Sequence, residues 1–256
     1  MASPLLGPLD PPAYSVYRPE GRARLVLGCD HASKAVPASL GTLGLDASQL
    51  DDHIGWDPGA LEVAKLLSEA LDAPLVASGY SRLVIDCNRP LGVPSSIAEQ
   101  SGGVDVPGNH ELDDASRRAR AEACYWPYHR ALERILDARE QRGEPTAFVT
   151  IHSFTPVLLG AARPWHVGVL HRNGSRIAPL LLEGLRRFDH LVIGENEPYR
   201  VTDGGDYSVP VHGEARGLPS AIVEMRNDGV RSAEGVRTMA ERLTRVLRDA
   251  LARCFD

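Results

Sequence analysis

Apolar and polar positions along the chain follow two periods, and their order sketches a layered fold. The stretch "RARLVLGCDHAS" predicts a strand over residues 23–28 that ends in a loop holding Asp30 and His31. In "DPGALEVAKLLSEAL", apolar residues recur at Ala60, Val63, Ala64, Leu67 and Leu71, which is one face of a 3.6-period helix. Asp57 stands where an N-cap would, and Pro58 stands at the first helical position. "APLVASGYSRLVIDCNRP" supplies one or two strands, and residues 83–85 run straight into Asp86, Asn88 and Arg89. Residues 92–112 are rich in Gly, Pro and Ser, a long loop of the kind that often carries function. "DDASRRARAEACYWPYHRALERILDARE" predicts a long helix or a helix pair interrupted at Pro127. "AFVTIHSFTP" is a strand that ends on His152 and turns at once. Then follow a strand in "HVGVLHR", a helix in "APLLLEGLRRF" and a loop over 195–217. The strand "SAIVEMR" and a closing helix from about 232 to 253 complete the pattern. Strands alternating with helices imply an α/β fold with a mixed, mostly parallel sheet covered on both faces.

Composition narrows the class. With 256 residues, the chain is long enough for one large domain. Residues 1–22 are Pro-rich, without a basic start or a sustained apolar run, and read as a poorly structured leader rather than a signal peptide. Residues 23–256 read as a single domain with no linker or repeat. A net charge of −6 excludes nucleic acid as the main partner, since phosphate binding needs a basic surface. No apolar stretch approaches the ~20 residues that span a bilayer, so no membrane partner is expected. The four cysteines, Cys29, Cys87, Cys124 and Cys254, form no C-x-x-C pair. They read as reduced thiols of a cytoplasmic protein, not a disulfide framework.

Polar residues collect at one kind of place. His31, Asn88, Arg89, His152 and Glu224 each lie at or just past the C-terminal end of a predicted strand. In open α/β sheets, ligands bind in the crevice outside those ends. Each residue taken singly has an ordinary explanation. A histidine there is often a hydrogen-bonded structural residue, Asp57 fits a plain N-cap, Arg89 can pair with Asp86, and Glu224 with Arg226. Together they place two imidazoles, carboxylates and an anion clamp in one cleft.

At this point the residues resemble a known family. "TIHSFTP", "VIDCNRP" and "AIVEMRNDG" are similar to three signature strands of the zinc carboxypeptidase-like superfamily. The ordered set "DHAS", "HIGWDPGA", "YSRLVIDCNRP", "VPGN", "PYH", "HSFTP", "RPWHVGVL" and "HGEARGLPSAIVEMRND" resembles its N-formylglutamate amidohydrolase branch, over about residues 25–247. The resemblance implies a three-layer α/β/α fold of the zinc-carboxypeptidase-like (phosphorylase/hydrolase-like) type. It also implies one zinc ion per chain, with His31 and His152 as ligands. The superfamily's third ligand is usually a Glu three residues after the first His, and Lys34 occupies that position here. Asp57 is therefore expected as the third ligand, with Asp52 and His53 as alternatives. Two His and a carboxylate with an open fourth position is the arrangement of catalytic zinc.

The activity implied is hydrolysis of the amide bond of a small N-acyl amino acid, similar to N-formyl-L-glutamate. Zinc activates water and polarises the carbonyl, Glu224 acts as general base and then acid, and Arg82 or Arg89 assists at the oxyanion. Asn88 and Arg89 clamp a substrate carboxylate. Arg226 shares the sheet face of Glu224, while Arg163 and His212 lie at the rim. Tyr199 and Tyr207 lie in the same loop as His212, and Tyr128 and His129 more simply anchor a helix. Oligomeric state is open. Cleavage of short peptides is the alternative within the class, and a carboxylate-binding protein without metal is the alternative outside it. Acyl transfer through Ser153 or Cys29 lacks a nucleophile elbow, and nucleotide binding lacks both glycine-rich signatures.

Overall fold

The computed structural model describes residues 4–172, 174–202 and 204–256. Residues 1–3 of the expected leader, and residues 173 and 203 of the expected domain, lie outside it. Seven strands form the central sheet: β1 (Tyr14–Tyr17), β2 (Leu25–Cys29), β3 (Leu75–Ser78), β4 (Ala147–Phe154), β5 (Val167–Leu170), β6 (Ile193–Glu195) and β7 (Ser220–Arg226). Their order is β1-β3-β2-β4-β7-β5-β6. Four of the six pairings are parallel, and β1 on β3 and β5 on β7 are antiparallel. This is the mixed, mostly parallel sheet that the alternating pattern implies.

The strand β4 sits at the middle, and all eight of its residues are buried. Its apolar run shows no alternation because both faces are covered. Ala147, Val149 and Ile151 join Val223 and Met225 of β7 in a core roofed by α1 (Ala60–Leu71), α3 (Ala178–Leu185) and α4 (Ala233–Phe255). Phe148 and Ile222 point the other way, into a core closed by α2 (Trp126–Gln141) and by the segment around Val84. The three layers follow from these two apolar faces.

Two expectations are corrected. Residues 83–85 make a turn, not a strand, with Val84 N donating to Ser81 O. Leu83, Val84 and Ile85 bury themselves on the α2 face of the sheet instead, which also satisfies an apolar run. The expected leader enters the sheet: Tyr14–Tyr17 pairs antiparallel with β3. The half-buried Tyr14 and Val16 pack on the α2-side core, and Tyr17 on the other, so a short edge strand finds apolar support despite the prolines around it. The predicted break at Pro127 is present as a π-helical turn, Ala121–Tyr125, just before α2.

Gly59 fixes the entry to α1. It has φ +82°, in the left-handed region, and a Cβ there would meet the carbonyl oxygen of Val230. Gly59→Ala is therefore expected to cost roughly 2 kcal/mol and to lower Tm by about 4–8 °C. A Tm within about 1 °C of the parent in a thermal melt would show that this turn relaxes freely.

Candidate active site

The register of the sheet brings the first two groups together. In the parallel pair, Glu224 of β7 lies opposite His152 of β4, so both side chains leave the same face. His31 follows β2 by two residues, and the Asp57 amide donates to the His31 carbonyl at 2.9 Å, drawing the start of the α1 turn over the same strand ends. Asp57 does not cap the helix: the N-cap is Gly59, whose side makes no cap bond. The Asp57 carboxylate turns inward instead. Its Oδ2 lies 3.3 Å from His31 Nδ1, 3.0 Å from His152 Nδ1 and 3.2 Å from the Ser153 amide. Asp57, His31 and His152 are all buried and offer ligand atoms within 4.8 Å of one another.

Each imidazole is held from behind by a second carboxylate. His31 Nε2 lies 2.7 Å from Asp86 Oδ1, and His152 Nε2 lies 2.9 Å from Asp30 Oδ2. Asp30 is fixed in turn by the hydroxyls of Tyr128 (2.9 Å) and Ser208, and Asp86 by the Arg82 guanidinium (2.7 Å) and the Asn88 amide (2.8 Å). Burial and Arg82 oppose a charge on His31, yet Asp86 and Asp57 outweigh them and raise its pKa. Burial likewise opposes a charge on His152, and Asp30 and Asp57 overcome it. Asp57 shows the mirror image: burial would raise its pKa, but the two imidazoles hold it below the usual range. Asp30, equally buried, is held at about 2, chiefly by His152. Two imidazoles and one carboxylate that converge, with each imidazole backed by a carboxylate, match the donor set and second layer of a catalytic zinc centre.

Glu224 stands apart from this network. It is 7% exposed, its Oε2 has no hydrogen-bond partner among the described residues, and burial pushes its pKa up to about 7, Asp57 adding in the same sense. A carboxyl with such a value near neutrality is poised to exchange protons. It opens, with the three clustered groups, into a cavity of ≈ 260 Å³ that Arg82, Asn88, Arg89, Ser153, Leu170, Tyr199, Arg200, Gly205 and Asp206 also line.

The structure sorts the other expected residues. Arg82 lines the cavity and binds Asp86, not Arg89, which leaves its pairing with Asp86 to a backbone bond alone. Asn88 and Arg89 line the cavity, but Asn88 spends its amide on the loop after β6. Its oxygen accepts from the Tyr207 and Ser208 amides, and its nitrogen donates to Asp206. Arg89 Nη1 donates to the carbonyls of Gly205 and Asn88. Arg226 lies outside the cavity, and its guanidinium pairs with Asp228 at 2.9 Å rather than with Glu224. Arg163 also lies outside it and donates to the Tyr199 hydroxyl at 2.8 Å, with its guanidinium over that ring. His212 is fully buried behind Phe148, stacked on His129 with His129 Nδ1 2.9 Å from its Nε2. Burial keeps both rings neutral, His129 at about 3 and His212 at about 4, and neither reaches the cavity.

Of the alternative third ligands, Asp52 and His53 pair with each other at 2.9 Å outside the cluster. Lys34 is exposed and pairs with Asp51. Ser153 donates its hydroxyl to Pro58 O at 2.8 Å, and Cys29 is buried in the helix-side core with its thiol pushed well up by burial, so neither is an activated nucleophile. The sequence pointed to no site role for Asp30, Asp206 or Arg200, and to Asp86 only as a partner of Arg89. Asp30 adjoins His31 and Asp86 adjoins the Asn88–Arg89 segment, which was the available signal. Among the described residues, no helix is long and apolar enough to cross a membrane.

Comparison with known proteins agrees with this layout. Residues 23–230 match the family model described as N-formylglutamate amidohydrolase. The structure of a gene product from Agrobacterium tumefaciens is 38% identical, with a TM-score of 0.95 over 98% of this chain and 100% of that one. An N-formylglutamate amidohydrolase from Ralstonia eutropha is 20% identical and shares the fold, with a TM-score of 0.62 over 94% of this chain and 96% of that one. No curated protein matches the chain.

Proposed function

The chain belongs to the N-formylglutamate amidohydrolase family, and on that premise we propose that it is a zinc-dependent hydrolase of small N-acyl amino acids, N-formyl-L-glutamate among them. The observation that carries the proposal is Glu224: a buried carboxyl whose Oε2 has no partner among the described residues, with a pKa of about 7, in register with a histidine of a His-Asp-His cluster. His31, Asp57 and His152 would hold the zinc ion, which supplies a water acidic enough to lose a proton near neutrality and a Lewis acid for the amide carbonyl.

The chain's own groups account for the rest. Glu224 takes the proton of the attacking water as its oxygen bonds to the acyl carbon. It then delivers that proton to the amide nitrogen as the C–N bond breaks, leaving a carboxylate and a free amino acid. Arg82, held toward the cavity by Asp86 and Asp57, presents positive charge where the oxyanion develops. Asp30 and Asp86 keep the two imidazoles oriented. Asn88 and Arg89 fix the loop that makes one wall of the cavity, a positioning role in place of the substrate clamp expected of them.

The test is elemental analysis of untagged protein purified without chelator, together with release of amine from N-formyl-L-glutamate. About one zinc per chain and turnover that chelation abolishes and zinc restores are the expected results. Protein that takes up no zinc and releases no amine from any N-acyl amino acid would overturn the reading and leave a carboxylate-binding relative of a hydrolase.

A further inference from the structure

Three arginines line the cavity, and two of them have a carboxylate partner. Arg82 offsets Asp86, and Arg89 lies 3.8 Å from Asp206. Arg200 lines the same cavity, and no hydrogen bond or ion pair is formed by its guanidinium among the described residues. It is exposed, whereas Glu224 is 7% exposed, so it marks the mouth of the cavity and Glu224 its floor. Its neighbour Tyr199 is fixed by Arg163, and the loop beyond it is tied down by Asn88 and Arg89, so the wall carrying Arg200 is braced on both sides.

We infer that Arg200 is the specificity residue that takes the distal carboxylate of an acidic N-acyl amino acid, an assignment that rests on the hydrolase reading above. The argument is one of reach. The α-carboxylate of such a substrate is attached to the carbon next to the scissile nitrogen, so it stays near the floor with the reacting groups. An acidic side chain extends away from the amide and brings its second carboxylate to the mouth. There an uncommitted guanidinium presents a planar fork that matches a carboxylate bidentately. A cavity of ≈ 260 Å³ suits a ligand of amino-acid size.

The experiment measures binding separately from turnover. In the zinc-supplemented Glu224→Gln protein, calorimetry compares N-formyl-L-glutamate with N-formyl-L-glutamine, and the Arg200→Ala change is then added. The expected result is that the glutamate derivative binds about 10–100-fold more tightly, the usual worth of a charge-assisted pair, and that Arg200→Ala closes this gap while leaving the glutamine derivative unchanged. Arg200 is exposed and its guanidinium is unpaired among the described residues, so the variant should melt with its parent. A gap that survives the change, the same loss for both ligands, or no gap from the start would each overturn the assignment. If the parent protein hydrolyses neither compound while the gap still depends on Arg200, the hydrolase reading falls and the binding assignment stands.

Discussion

Glu224→Gln should lower kcat by about 10²–10⁴-fold, the usual contribution of a positioned acid–base group, and leave bound zinc at the parent level. The substitution keeps the volume of the side chain and its place opposite His152 but removes the proton-accepting oxygen. Because Glu224 makes no hydrogen bond through Oε2 among the described residues and is not one of the three clustered groups, the proposed zinc ligands have no reason to move. In the metal-free protein, the same change has an opposite effect on stability. Burial raises the folded-state pKa from 4.5 to about 7, so the native state holds this proton more tightly than the unfolded chain. The resulting stability is fully present below pH 4.5 and is lost as the pH rises through 7. Glutamine does not titrate. Relative to the variant, the parent should therefore lose on the order of 3 kcal/mol between those limits, read by denaturation at pH 4.5 and pH 8. A kcat within about threefold of the parent would remove Glu224 as the base. Stability curves that stay parallel across pH would mean that its carboxyl is not desolvated.

What the sequence made legible was periodicity and strand ends. The apolar residues of α1 and α4 repeat at helical spacing because each buries one face, and β4 reads as an unbroken apolar run because it is buried on both. His31, His152 and Glu224 were legible for a related reason. A titratable side chain at the end of an apolar strand has no role in packing that strand, and several at neighbouring strand ends fall together in the fold. The same logic failed for residues 83–85, because a buried turn and a buried strand draw on the same apolar residues, and only the neighbouring slot beside β2 decides between them. β3 takes that slot.

The roles of the arginines were not legible, and the reason is distance in sequence. Whether Arg89 faces a substrate or a carbonyl depends on Gly205, 116 residues away, and the loop that carries it. Arg163 depends likewise on Tyr199 and Arg226 on the loop at 163–164. A guanidinium satisfies itself with whatever acceptors the fold brings near, so its residue type indicates charge without indicating partner. Asp30 and Asp86 were overlooked for the converse reason. Carboxylates buried behind imidazoles look in sequence like ordinary loop residues, and only the tertiary fold shows that each backs one histidine. Asp57 combined both difficulties. Its position before Pro58 is that of an N-cap, yet Gly59, with its positive φ, takes the cap position and frees the carboxylate to turn inward.

On the proposed zinc reading, Asp57→Ala is expected to abolish zinc binding and turnover, while Lys34→Ala leaves both at the parent level. The Asp57 carboxylate is the only one among the described residues that meets both imidazoles, so no other donor completes a three-ligand set. Zinc affinity should fall by more than the 10–100-fold typical of losing a group behind a ligand, and zinc per chain should drop to background after dialysis. The change also leaves two buried imidazoles without a shared counter-charge, a loss that typically costs 3–5 kcal/mol when one partner of a buried pair is removed. Asp57→Asn separates the two effects. It keeps the side chain's shape and a carbonyl oxygen for the Ser153 amide, so a folded protein that binds no zinc would locate the defect in the metal centre itself. Asp52→Ala supplies the contrast. Zinc retained in Asp57→Asn but lost in Asp52→Ala would move the third ligand to the exposed Asp52–His53 pair. Lys34 sits at the surface with Asp51, outside the cluster, so its removal takes no donor from the three grouped residues.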